Sequence, residues 1–281
     1  MPELPEVETV ARTVDAHVRG DRIIDVWFTS HPQPFKTPPS VQAEALAGRH
    51  FLSVHRTGKH IVCELGPRTR KSDSLEIPPE AQWIVHLGMT GQLLVTAQES
   101  PVAPHTHARL SLASGKELRF VDPRRFGRLE FRDLGQCAAF CAPGAEPLTI
   151  GAREFARLFQ GRRLAIKAAL LNQGLLSGVG NIYADESLFR AGIRPRRLAG
   201  RLKAGELEAL RMALRRVLRQ AIRLGGSSVS DYVDGNGERG VFQFEHRVYQ
   251  RTGQPCVRCQ TPIRRIVLAG RGTHYCPTCQ K

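Results

Sequence analysis

From Val7 the apolar residues Val7, Val10, Ala11, Val14 and Val18 return at three- and four-residue spacing, and Pro2 and Pro5 are compatible with a helix start, so the chain is expected to open with an amphipathic helix. From Ile23 the pattern shortens to β-type runs. These are Ile23–Phe28, Phe51–Arg56, Ile61–Leu65, Gln82–Leu87, Gln92–Thr96, Ala108–Leu112, Glu117–Val121 and Leu129–Phe131, separated by Gly, Pro and Ser clusters. Many short strands of this kind predict a β-sandwich or barrel. The Pro-, Ser- and charge-rich stretches 31–40 and 66–80 read as surface loops.

A linker-like segment around Cys141-Ala142-Pro143-Gly144-Ala145-Glu146-Pro147 separates this half from a helical one. Helices are expected near 152–159, 164–172, 182–191 and 204–224. In the last, Leu207, Leu210, Leu214, Val217, Leu218 and Ala221 form one stripe, while Arg211, Arg215, Arg219 and Arg223 recur every four residues on another face. That arginine row is either a phosphate-tracking face or an ordinary solvated one. The segment 234–240, Asp-Gly-Asn-Gly-Glu-Arg-Gly, is too glycine-rich for regular structure.

Composition narrows the class. With 281 residues, 41% hydrophobic and 24% charged, the chain can bury real cores, and two domains plus a small module suit its length. No apolar run approaches a membrane span, and the acidic start Met-Pro-Glu-Leu-Pro-Glu lacks the features of a signal peptide, so an intracellular protein is expected. The net charge is +15, and its distribution is uneven: residues 1–150 carry 17 basic and 17 acidic side chains, residues 151–281 carry 24 and 9. An excess confined to one half points to a polyanion, nucleic acid or an anionic membrane surface, against the plainer alternative of a solubilising surface.

Four of the seven cysteines form two close pairs, Cys256-x2-Cys259 and Cys276-x2-Cys279, with sixteen residues between them. This is the spacing of a four-thiolate zinc site, and four protein ligands leave no open position, so the metal is expected to be structural, one ion per chain. Cys63, Cys137 and Cys141 read as reduced thiols. Between the pairs, 263–268 and 273–275 should form a hairpin with 269–272 as its turn, displaying Arg271 either as a plain loop arginine or as a cation for a phosphate. At the other end, removal of Met1 would leave Pro2 with a free secondary amine able to attack an aldehyde-like carbon. Glu3 and Glu6, one turn apart, could share a face beside it as general acid or base, or could merely complement the helix dipole.

The segments Met1–Thr9, His86-Leu87-Gly88-Met89-Thr90-Gly91, Asp122-Pro123-Arg124-Arg125-Phe126-Gly127 and Gly178–Glu186, followed by the four-cysteine finger, occur together and in order. In this the sequence resembles the bacterial formamidopyrimidine-DNA glycosylases over essentially its whole length. The resemblance implies an α+β fold: an N-terminal helix plus β-sandwich (1–135), a linker (136–150), a helix-two-turn-helix DNA-binding domain (151–240) and a zinc-finger β-hairpin (241–281), with DNA held between the halves. It implies excision of oxidised purines such as 8-oxoguanine and formamidopyrimidines, then strand cleavage by β,δ-elimination. By the same resemblance Pro2 is the nucleophile, Glu3 the acid or base with Glu6 nearby, Lys59 assists β-elimination, and Arg271 serves δ-elimination and phosphate binding. His86, His105, Arg124, Arg163, Lys167 and Asn181 fall on DNA contacts. Met89, Arg124 and Phe126 fall on a wedge that fills the gap left by an extruded base, a task suited to a thioether, a guanidinium and an aromatic ring. The implied partner is double-stranded DNA with oxidised bases, no membrane is involved, and a monomer in the bacterial cytoplasm, associated with the nucleoid, is expected. The competing readings are an endonuclease VIII-like glycosylase for oxidised pyrimidines, disfavoured by Leu4 and the complete wedge, and a non-catalytic nucleic-acid-binding protein, disfavoured by Pro2, Glu3 and Lys59.

Overall fold

The computed structural model describes residues 1–31, 34–68, 77–229 and 231–281. The middle of the 66–80 loop, 69–76, lies outside them. Two compact units result: Met1–Cys141 with Gly225–Gly240, and Ala142–Leu224 with Val241–Lys281.

The first unit begins with α1 (Leu4–Val18) and β1 (Ile23–Phe28), continues through α2 (Pro39–Leu46), β2 (Phe51–Thr57), β3 (His60–Leu65), β4 (Ala81–His86) and β5 (Gln92–Ala97), and closes with β6 (Thr106–Leu112), β7 (Lys116–Val121) and β8 (Arg128–Asp133). The strands form two antiparallel four-stranded sheets in the orders β1-β6-β7-β5 and β2-β3-β4-β8. The apolar stripe read from the sequence is the buried face of α1, from Val7 to Val18, and it shares one core with Phe51, Trp83 and Phe120. Polar bonds fix the helix against the second sheet. Asp15 Oδ1 accepts the Val54 N–H at 2.6 Å, and Glu8 Oε2 accepts Arg56 Nε at 2.9 Å.

Every strand read from the hydrophobic pattern is present, with ends moved by at most two residues. The stretch 31–40 is not all loop: α2 starts at Pro39, and its Gln42, fully buried, accepts the Trp83 indole N–H at 3.0 Å. The glycine-rich stretch 225–240, placed by resemblance in the 151–240 domain, groups by its contacts with the first unit. Tyr232 enters the core of the first unit, and Gly235 O accepts the Val95 N–H at 2.9 Å.

The second unit contains α3 (Ala152–Phe159), α4 (Ile166–Leu171), α5 (Asn181–Ala191), α6 (Ala204–Arg223) and a hairpin of β9 (Arg264–Leu268) and β10 (Arg271–Tyr275). Its central element is α5, buried without interruption from Tyr183 to Phe189 and packed against α4, α6 and β10. A helix buried all round cannot carry free charge, yet α5 carries Asp185 and Glu186. Each is consumed internally. Asp185 Oδ2 accepts the His274 N–H at 2.8 Å, and Glu186 Oε1 accepts the N–H groups of Arg247, Val248 and Tyr249, each at 2.9 Å. Burial pushes the Glu186 carboxyl up, and the three amides pull it back.

The hairpin differs from expectation at its turn. Arg271 pairs with Leu268 as the first residue of β10, so the turn is Ala269-Gly270 alone. Along α6, Arg211 is taken by Glu208 at 2.7 Å and Arg215 is half-buried, leaving Arg219 and Arg223 as the exposed members of the arginine row.

Replacing Glu186 by Ala strands three backbone donors, each costing about 1–3 kcal/mol when buried without a partner. Glu186→Ala should lower the melting temperature and speed amide exchange first at 247–249. Unchanged protection there would refute the clasp.

Candidate active site and zinc centre

The first catalytic candidates sit where the chain starts. Met1 is exposed, whereas Pro2, Glu3 and Glu6 are buried. Glu3 is the N-cap of α1 and forms a reciprocal capping box with Glu6, whose Oε2 accepts the Glu3 N–H at 2.8 Å. The other Glu6 oxygen accepts the Ser227 N–H at 2.8 Å, and the Tyr232 hydroxyl donates to the Glu6 and Gly225 carbonyls at 3.3 and 3.1 Å. Glu6 therefore holds the start of the chain and the 225–240 segment together. Gly226, at φ +80°, passes so close that a Cβ there would lie 2.9 Å from Glu6 Oε1.

Lys59 occupies the two-residue turn between β2 and β3, where Gly58 has φ 63°. Arg56, bound to Glu8 of α1, also donates to the Gly58 carbonyl at 3.1 Å, so the turn is braced against the helix that carries Glu3. Next to it, His60 of β3 lies opposite His86 of β4 with ring centroids 4.8 Å apart, and His60 also meets Phe140 at 4.6 Å. Burial, with Lys36 next for His60 and with His60 and Lys59 next for His86, lowers both imidazoles to about 4. Both are neutral at pH 7. His86 Nδ1 accepts the Gly88 N–H at 3.1 Å and so shapes the loop that follows.

That loop, Leu87–Gly91, bears Met89 and touches the loop Asp122–Gly127 backbone to backbone. A Cβ on Gly88, whose φ is +64°, would lie 2.5 Å from Gly127 N. Arg124 and Phe126 are exposed, and the guanidinium rests 4.9 Å from the centre of the ring. Between the loops lies a carboxylate to which the sequence attached no role. Asp122, fully buried, accepts the Thr90 hydroxyl at 2.6 Å, the Gly127 N–H at 2.8 Å and the Arg124 N–H at 3.3 Å. His105 is exposed at φ 63°, and its carbonyl accepts the Asp122 N–H at 3.0 Å.

In the second unit Arg163 is exposed in the turn after α3 and Arg271 at the hairpin. Asn181, the first residue of α5, donates from Nδ2 to the Gly272 carbonyl at 3.0 Å. Lys167 departs from the expected DNA contact. It is fully buried, paired with Asp185 at 2.7 Å, and donates to Gly272 O at 3.0 Å and Thr273 Oγ1 at 2.8 Å. An ammonium so enclosed cannot reach a phosphate; it clamps β10 beside Arg271.

The four cysteine sulfurs converge, all within 4.8 Å of one another, with Cys256–Cys279 at 3.9 Å and Cys259–Cys276 at 3.5 Å. A tetrahedron with Zn–S near 2.3 Å has edges of about 3.8 Å, so the set fits zinc. Arg258 N–H and Cys279 N–H each point at a Cys256 or Cys276 sulfur at 3.4 Å, as thiolate ligands require. Gln280 ties the knuckle to α5 by accepting the Cys276 N–H at 2.8 Å and donating to Ile193 O at 2.9 Å. The centre is structural, with no ligand position left for water.

A capped sandwich whose second residue is a buried proline beside a capping glutamate, together with a helical unit bearing a four-thiolate hairpin, defines the class of zinc-finger DNA glycosylases. Models of the formamidopyrimidine-DNA glycosylase N-terminal domain, of its H2TH domain and of a zinc finger found in FPG and IleRS match residues 1–129, 143–233 and 253–281. The chain belongs to the formamidopyrimidine-DNA glycosylase family. It is 45% identical to the formamidopyrimidine-DNA glycosylase of Solibacter usitatus and 42% identical to that of Desulfitobacterium hafniense, with 100% of each chain covered. Among solved structures it is similar to a Lactococcus lactis FPG variant in complex with DNA containing Fapy-dG (TM-score 0.87, 32% identity, 100% of both chains). It is also similar to L. lactis Fpg with abasic-site DNA (TM-score 0.86, 32% identity, 99% of both) and with DNA containing an oxidised pyrimidine (TM-score 0.85, 32% identity, 100% of both).

Cys276→Ser should release zinc and lose tight DNA binding, since structural zinc contributes about 10–16 kcal/mol of apparent binding energy in finger peptides. Metal-free protein that binds DNA normally would contradict this. For His60 and His86 the folded value lies below the ordinary 6.5, so their contribution to stability is present above pH 6.5 and is lost as pH falls towards about 4. His60→Phe keeps a ring against Phe140 and removes one titration. Its melting temperature should fall less than that of the wild type between pH 7 and 5; parallel curves would overturn the assignment.

Proposed function

We infer that the chain is a bifunctional DNA repair enzyme that removes oxidised purines from duplex DNA and then cleaves the abasic site. The observation that carries this reading is the N-terminal constellation: Pro2 next to Glu3, both buried, held by Glu6 and braced towards the Lys59 turn. A binding module has no use for a fixed chain start of this kind.

Once Met1 is removed, the Pro2 nitrogen is a secondary amine. Its attack on C1′ of the damaged nucleotide expels the base, and opening of the C1′–O4′ bond, with a proton delivered to O4′, then leaves an iminium, which is cationic without further protonation. The cation acidifies the C2′ proton; its loss breaks the 3′ C–O bond, and a second elimination breaks the 5′ one. Glu3, adjacent to the nucleophile, exchanges protons with the sugar, and Lys59 and Arg271 assist the two eliminations. Extrusion of the base precedes this, with Met89, Arg124 and Phe126 filling the vacated stack and Arg124 able to donate to the orphaned cytosine. Exposed His105 and Arg163 suit phosphate contact, as does Asn181, whose side chain is already shared with Gly272. Zinc supplies no chemistry here; it stiffens the hairpin that carries Arg271.

The L. lactis complex with an oxidised pyrimidine gives the alternative lesion class a specific basis, so the substrate set extends to selected pyrimidines, with purines first. We further propose that the protein acts as a monomer on double-stranded DNA in the bacterial cytoplasm, at the nucleoid. No helix among the described residues is long and apolar enough to cross a membrane.

Borohydride should trap a covalent adduct between DNA and the N-terminal peptide. Pro2→Gly should retain some activity through its primary amine, whereas Glu3→Gln should lose base excision while keeping part of the cleavage at preformed abasic sites. DNA trapped on Lys59 would overturn the nucleophile assignment, and failure to cut any of 8-oxoguanine, formamidopyrimidine or thymine glycol duplexes would overturn the enzymatic reading.

A further inference from the structure

We propose that Asp122 is the positioning residue of the wedge, a single buried carboxylate that locks the Met89 loop and the Arg124–Phe126 loop into one rigid body. The inference rests on the reading of Met89, Arg124 and Phe126 as the groups that replace the extruded base.

The three wedge side chains come from two separate connections, β4–β5 for Met89 and β7–β8 for Arg124 and Phe126. Independent loops would drift relative to each other, and a wedge whose parts move by an ångström no longer fits a single gap in the stack. Asp122 removes that freedom. Its Oδ1 receives the Thr90 hydroxyl, next to Met89, and the Arg124 N–H; its Oδ2 receives the Gly127 N–H, next to Phe126. One carboxylate thus bonds to Arg124 itself and to the neighbours of the other two members.

The backbone around it fits the same role. Asp122 is itself held from both sides, its N–H by the His105 carbonyl at 3.0 Å and its carbonyl by His107 Nε2 at 3.0 Å. Gly127 has room for no side chain: a Cβ would lie 2.5 Å from Phe120 Cζ and 3.1 Å from Asp122 Oδ2. Gly88 and Gly127 allow the loops to touch, and the carboxylate then binds both. A neutral residue cannot replace it fully, because three donors converge on two oxygens. An asparagine keeps one acceptor oxygen and turns an NH2 group towards the remaining donors.

The test compares Asp122→Ala, Asp122→Asn, Thr90→Val and Arg124→Ala on two duplexes, one with 8-oxoguanine opposite cytosine and one with a preformed abasic site. Rates are taken per active molecule, counted by borohydride trapping on abasic DNA, so that misfolded protein does not enter. For Asp122→Ala the ratio of excision rate to abasic cleavage rate should fall about tenfold, from displacement of the wedge on the ångström scale. Thr90→Val should fall less, and Asp122→Asn should recover part of the loss. A 2-aminopurine next to the lesion should lose its binding-induced fluorescence change in Asp122→Ala. Equal losses on both duplexes, or full activity of Asp122→Ala, would overturn the proposal. If Arg124→Ala lowers the ratio and Asp122→Ala does not, the wedge stands and the role of Asp122 falls. If Arg124→Ala leaves the ratio unchanged, the wedge reading falls and takes this inference with it.

Discussion

A chain terminus frays unless something holds it, and a nucleophile at residue 2 is therefore useless without an anchor. Glu6 is that anchor. One oxygen binds the Glu3 N–H and the other the Ser227 N–H, so the start of α1 is tied both to itself and to a segment more than two hundred residues away. The cost is a buried carboxylate, offset because both oxygens receive backbone donors. Two further contacts support it: Tyr232 donates to the Glu6 carbonyl, and Gly226, lacking a Cβ, lets its backbone lie against the carboxylate.

The second unit uses the same device. Asp185 and Glu186 lie on a helix with no exposed side in that region, and each carboxylate collects several donors from the chain that follows. Lys167 belongs to this arrangement. Its charge is neutralised by Asp185, and its remaining donors hold Gly272 and Thr273, the residues directly after Arg271. Zinc fixes one end of the hairpin through four sulfurs, and α5 fixes the strand that leads away from the tip. Arg271 is thereby exposed on a backbone held by hydrogen bonds at the two residues that follow it.

The sequence disclosed whatever has a period or a spacing. The stripe of α1, the eight sandwich strands and the paired cysteines all follow from repeats of 3.6, 2 or a fixed ligand interval. What remained hidden depends on single long-range contacts. The helix at Pro39–Leu46 is two turns long and buries only Gln42 and Leu46, too little to leave a stripe. Residues 225–240 have no period at all, and single contacts, such as Tyr232 entering the sandwich core, Ser227 on Glu6 and Gly235 on Val95, assign them to the first unit. Lys167 fell on a DNA contact by resemblance alone; its partner Asp185 is eighteen residues on and visible only once α4 meets α5. Asp122 was within a quoted motif, but an Asp-Pro step signals a turn and nothing more. The three donors that define its role come from two loops.

These buried acids also explain the charge of the surface. In the second half of the chain nine acidic residues face 24 basic ones. Asp185 and Glu186 are wholly internal, while Glu206 pairs with Arg197 and Glu208 with Arg211. These four carboxylates therefore neutralise backbone donors or individual arginines, and arginines such as Arg153, Arg157, Arg163, Arg196, Arg216 and Arg219 are left exposed. Two acids placed wholly inside, and two more paired with single arginines, make the exterior of this half more positive than its composition alone suggests. The arginine excess is then the complement of the clasps: the same residues that hold the hairpin and helices rigid are withdrawn from the surface, and the cations left behind face a polyanion with few competing carboxylates to screen them.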